Sequence, residues 1–195
     1  MAGEQADAVE LVEGEVVTKL SGAVLIAALT GVLAQFSIPL PGGIPFSFQP
    51  FAVFFSGLLL GPIWGGFAMA LYVLVGIAGA PVFSNAAAGV GVVIGPTGGF
   101  LLSYPIAAFA IGSLAHRSLS SKTVAELTTV PVIAGLLVGL VPIYALGTAW
   151  FASQQGLTLV EGATVMGPFL AGDLIKVAIT VGIVRGGSEL LRGPL

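Results

Sequence analysis

The chain has no cysteine and a single histidine in 195 residues, and only 8% of its residues are charged. Without cysteine there is no disulfide frame, no thiolate metal site and no cysteine nucleophile. Six basic and nine acidic residues cannot give a domain of this size the polar shell that water requires, so a water-soluble enzyme is excluded. A net charge of −3 with no basic patch excludes a nucleic-acid binder. No HExxH, GxSxG or nucleotide-binding motif occurs, and no second histidine exists for a triad or a metal cluster. What is present is apolar: 56% of residues are hydrophobic, 29 are glycine and the mean hydropathy is +1.09. That is far too apolar for a disordered chain. It reads as an all-α polytopic protein lying almost wholly in a lipid bilayer.

Residues 1–18 form an acidic tail, with Glu4, Asp7, Glu10, Glu13 and Glu15 ahead of the first base, Lys19. This lacks the basic start of a secretory signal and reads as a solvated tail or short surface helix. Residues 19–187 hold six apolar segments, at 21–36, 51–61, 63–79, 97–115, 130–152 and 164–184. At about 20 residues per crossing, six spans fit this length. The second is short for a full crossing and lies between proline-bounded turns. Residues 188–195 form a polar C-terminal tail. The runs are continuously apolar rather than alternating, which argues against a β-barrel.

Six spans put both termini on one side. Lys19, Arg117, Lys122, Arg185 and Arg192 all fall on that side, whereas the loops at 37–49, 81–95 and 153–163 carry no Lys or Arg. Positive charge marks the cytoplasmic face, so the ends are expected inside and these three loops outside.

Only two charges, Asp173 and Lys176, fall inside the spans. Three apart on a helix, they share a face. Charges in lipid normally point into the bundle and mark function. The alternative is a pair that merely neutralises itself. In GPTGGF, Pro96 suits the first turn of a helix, and Gly98 and Gly99 let a ligand approach free N–H groups at its positive end. A tight turn with close helix packing is the other reading. Asn85, the only amide of its loop, offers a donor and an acceptor. Gln49 and Phe46, with Phe48 and Phe51, are candidates for the wall and lid of a pocket. Ala23, Ala27 and Gly31 recur every four residues, a spacing that lets another helix pack closely, either inside the bundle or on a membrane partner. His116, beside Arg117, is expected at the surface.

In order along the chain, IPLPGGIPFSFQPFAVFFSGLLLGP, YVLVGIAGAPVF, GPTGGFLLSY and GDLIK resemble the BioY family, with similarity running from about Ala28 to Arg185. These are the biotin-specific substrate-binding (S) components of energy-coupling factor (ECF) vitamin transporters. The resemblance implies a six-helix S-component fold in the cell membrane. It further implies capture of biotin from outside, association with a T subunit and two ATPases, and no cofactor or catalytic residue in this chain. It places the ligand's polar contacts at Asn85, Asp173 and Lys176, and likens Ala23, Ala27 and Gly31 to the small-residue surface that S components present to the T subunit. The family commonly has Tyr where this chain has Phe100, so no polar contact is assigned there. Biotin's ureido ring needs an acceptor for its N–H groups, which Asp173 can be, and a donor for its carbonyl, which Lys176 or Asn85 can be. Its carboxylate is assigned to Gly98 and Gly99. Alternatives are an S component for another small vitamin and a solitary secondary transporter.

Overall fold

Backbone N–H and C=O groups in lipid have no water to turn to, so an apolar run must satisfy them within itself. In the computed structural model, which describes residues 2–39 and 44–192, the runs do so as helices. These are α1 (Ala2–Gln35), α2 (Gln49–Ile77), the short α3 (Val90–Ile94), α4 (Gly98–His116), α5 (Thr129–Gln155) and α6 (Leu159–Arg192). Residues 40–43 of the Pro-rich loop and 193–195 of the expected C-terminal tail lie outside the described residues. Among the described residues, five helices are long and apolar enough to cross a membrane. Large apolar side chains such as Leu25, Val141 and Ile175 face outward, the reverse of a water-soluble surface.

The second and third segments are the two legs of α2. Gly61 takes φ 76° and ψ −176°, a conformation open to glycine but strained for other residues, and Pro62 breaks the ladder. The chain folds back there. Ser56 Oγ donates to Gly65 O at 2.8 Å beside the turn, and Gln49 Nε2 reaches Tyr72 Oη at 2.7 Å between the far ends. Legs 49–60 and 62–77 are therefore antiparallel, and the bundle has six helical legs. The 49–60 leg is only about 18 Å long, as its length in residues dictates.

α4 is the central helix, packed between α2 and α5. Small residues permit this: Gly57 meets Ala108 and Ile111, Gly112 meets the Gly61–Pro62 turn, and Gly135 and Gly139 both lie on Ile111. The same logic corrects the reading of the α1 stripe. Ala23 and Ala27 are buried in the core, and a Cβ on Gly31 would lie 3.2 Å from Val82. Ala23, Ala27 and Gly31 form an internal seam and present no free surface to a partner.

Backbone helix continues from residue 2 through the expected boundary at 18/19, so the acidic tail extends α1 rather than standing apart. α6 starts at Leu159, five residues before the expected segment. Thr158 and Glu161 cap it reciprocally, the carboxylate accepting the Thr158 N–H at 2.8 Å. The Pro-rich loop adds a two-stranded antiparallel ribbon, β1 (Ser37–Pro39) with β2 (Pro45–Ser47), pairing Ser37 with Ser47 and Ile38 with Phe46.

At one end of the bundle the α2 turn touches the 117–128 connector, a Cβ on Gly61 lying 3.0 Å from Ser121. In that connector the Thr123 hydroxyl and N–H hold the Glu126 carboxyl below the usual carboxylate range. His116 is not at the surface: it is fully buried, its Nδ1 accepting the Lys122 N–H at 2.9 Å and its Nε2 facing Gly57 O at 3.2 Å. An Nδ1 that accepts leaves the proton on Nε2, so the neutral ring pins the connector to α2.

Candidate binding site

At the opposite end lies a cavity of about 220 Å³. The β2 ribbon supplies Phe46 and Ser47, the α2 start Gln49, and the 83–87 loop Phe83, Ser84 and Asn85. α4 adds Thr97, Phe100, Leu101 and Tyr104, α5 adds Ile143 and Tyr144, and α6 adds Phe169, Asp173 and Lys176. Apolar walls with a few convergent polar groups are the usual build of a small-molecule site.

Asp173 and Lys176 pair at 2.6 Å with both side chains almost fully buried. Desolvation opposes such a pair unless further hydrogen bonds complete it. Here they do. Tyr144 Oη donates to Asp173 Oδ2 at 2.8 Å, and Lys176 Nζ donates to Ser47 O at 2.7 Å. The Phe46 ring lies 4.1 Å from the ammonium, a cation–π contact, and Gly172 on α6 leaves room for that ring. Each Asp173 oxygen keeps a free lone pair and Lys176 keeps one N–H. The pair is therefore built and still able to accept from, and donate to, a guest.

Gln49 lines the wall but its amide is engaged. Oε1 accepts from Ser47 Oγ at 2.8 Å and Ser84 Oγ at 3.1 Å, while Nε2 holds Tyr72, which in turn donates to Val82 O at 2.9 Å. It braces the ribbon, α2 and the 83–87 loop together. Asn85 sits at the mouth. Its Oδ1 accepts from Ser37 Oγ at 3.2 Å, and its Nδ2 has no partner among the described residues.

Gly98 and Gly99 are not on the cavity wall; Thr97 and Phe100 are. A Cβ on Gly98 would strike Val93 O, and one on Gly99 would strike Trp150 and Leu146 of α5. The Gly98 N–H already donates to Gly95 O at 3.0 Å. These two glycines serve close packing, and the carboxylate contact assigned to them has no open N–H at Gly98. Phe100 sets its ring over Gly147.

Sequence reasoning missed Tyr144, Tyr104 and Ser47. A signal existed for the first two: the chain has only three tyrosines, all inside apolar runs. A phenol in lipid must find a polar partner, so mid-span tyrosines point at polar sites. Ser47 acts through its backbone carbonyl, which leaves no trace in side-chain chemistry. Among the described residues no three His, Asp or Glu side chains gather as metal ligands would.

This six-legged bundle has the fold of a solved ECF-transporter S-component. It superposes with a TM-score of 0.78 on the solved S-component for biotin from an ECF-type ABC transporter, covering 93% of this chain and 94% of the other at 23% identity. The sequence profile described as the BioY family matches residues 5–193. The biotin transporter BioY of Thermotoga maritima is 40% identical over 157 residues, 80% of this chain and 86% of the relative. That of Rhodobacter capsulatus is 34% identical over 177 residues, 84% and 87% of the two chains. The chain belongs to the BioY family, and these relatives are named as biotin transporters.

Proposed function

We propose that this protein captures biotin at the outer face of the cell membrane, as the substrate-binding subunit of an uptake system. In this reading ATP is hydrolysed by separate ATPase subunits coupled through a T subunit. The observation that carries the reading is the meeting of Asp173, Lys176 and Tyr144 with Asn85 around one cavity in a BioY chain. Asp173 accepts from the ureido N–H groups, and Lys176 and Asn85 Nδ2 donate to the ureido carbonyl. Phe46, Phe100 and Phe169 cover the thiophane ring and aliphatic chain. The carboxylate lies toward the start of α4, where Thr97 rather than Gly98 or Gly99 borders the cavity.

The charge distribution supports an outward opening. Lys19, Arg117, Lys122 and Arg185 fall at the bundle end opposite the cavity, and basic residues favour the cytoplasmic side. Both termini are then cytoplasmic.

Isothermal titration of the detergent-purified protein with biotin tests the ligand. Saturable binding of one biotin per chain is expected, and the absence of binding sinks the proposal. Uptake assays in hosts with and without the T subunit and ATPases test the energy source. Uptake that persists without them favours a solitary transporter.

A further inference from the structure

The turn that carries Asn85 is backbone-strained. Asn85 sits at φ 59° and ψ 36°, and Ala86 beside it at φ 56°, both in the left-handed region. Asparagine tolerates that region, but alanine rarely adopts it. Gln35, the last residue of α1, grips the turn on both sides of Asn85. Its Oε1 accepts the Ala86 N–H at 2.9 Å, and its Nε2 donates to Phe83 O at 3.2 Å. The same Nε2 donates to Gly31 O at 2.9 Å, which anchors the carboxamide to α1.

We propose that Gln35 is a positioning residue for the ligand site: by clamping the peptide groups of Phe83 and Ala86 it holds Asn85 where its carboxamide meets the ligand. This rests on the reading of Asn85 as a contact for biotin. The clamp needs one acceptor and one donor on one planar group, which a glutamine side chain supplies. α1 is fastened to the bundle by Ala23, Ile26, Ala27 and Ala34 farther back along the helix, so losing the Gln35 amide frees the turn without unseating the helix.

The test is biotin titration and thermal melting of Gln35→Ala, Asn85→Ala, the double variant, and Gln35→Ala combined with Ala86→Gly. Gln35→Ala is expected to weaken binding about tenfold, the factor that one ordinary hydrogen bond commands, with an unchanged melting temperature. In the Asn85→Ala background the Gln35 change is expected to cost nothing more, because nothing remains to be positioned. Ala86→Gly removes the left-handed penalty and is expected to recover part of the affinity. Additive losses in the double variant, a loss that follows a fall in melting temperature, or unchanged affinity in Gln35→Ala overturns the positioning role. If Asn85→Ala abolishes binding, the Ala86→Gly rescue decides, and no rescue counts against the clamp. If Asn85→Ala alone binds like the parent, the reading of the site fails and the clamp with it.

Discussion

Tyr144 on α5 donates its hydroxyl to Asp173 Oδ2 on α6 at 2.8 Å and leaves Oδ1 to Lys176. The bond joins two helices that otherwise pack far less extensively than α4 and α5. It also fixes the plane of the carboxylate that would accept from the ligand.

Tyr144→Phe keeps the ring and deletes that bond. A hydrogen bond to a charged group contributes about 1.5–3 kcal/mol, so biotin affinity is expected to fall tenfold or more. Titration of the purified variant reads this out, and an unchanged dissociation constant would remove Tyr144 from the site.

Asp173→Asn is expected to weaken biotin binding about a hundredfold while the protein still folds, at a lower melting temperature. Removing one member of a buried pair leaves the other charge uncompensated, at a cost of about 3–5 kcal/mol. Asp173→Asn combined with Lys176→Met removes both charges and is expected to regain stability but not affinity. Recovery of affinity in the double variant would show the pair to be structural only.

Gly99→Ala separates packing from ligand contact at the start of α4. Its new methyl would meet Trp150 and Leu146, and overpacking of this kind costs about 1–3 kcal/mol. The expected signature is a lower melting temperature. A variant with the parent's melting temperature and no biotin binding would return the carboxylate to this turn.

His116→Ala strands the Lys122 N–H and Gly57 O, each at about 1–3 kcal/mol when buried. The melting temperature is expected to drop while the biotin dissociation constant stays at the parent value, because the cavity is at the other end. A changed dissociation constant would reveal coupling between the two ends of the bundle.

Much of this protein is legible in its sequence. Charge scarcity and run lengths mark the spans, and Gly61-Pro62 and Gly95-Pro96 mark the breaks between them. The helical period alone sets Asp173 and Lys176 on one face. The Thr158–Glu161 cap was equally legible and would have placed the start of α6. Only the tertiary structure decided that the Ala23–Ala27–Gly31 stripe turns inward, that His116 is buried, that Gly98 and Gly99 pack against α5, and that Gln49 and Tyr144 belong to one polar network. The physical reason is the solvent. Lipid is as apolar as the inside of a bundle, so hydrophobicity does not say which face of a span is buried. Charged groups in mid-span, which lipid will not satisfy, reveal their inward direction from sequence; small and apolar residues, and polar ones at a span end such as His116, acquire theirs only when the helices meet.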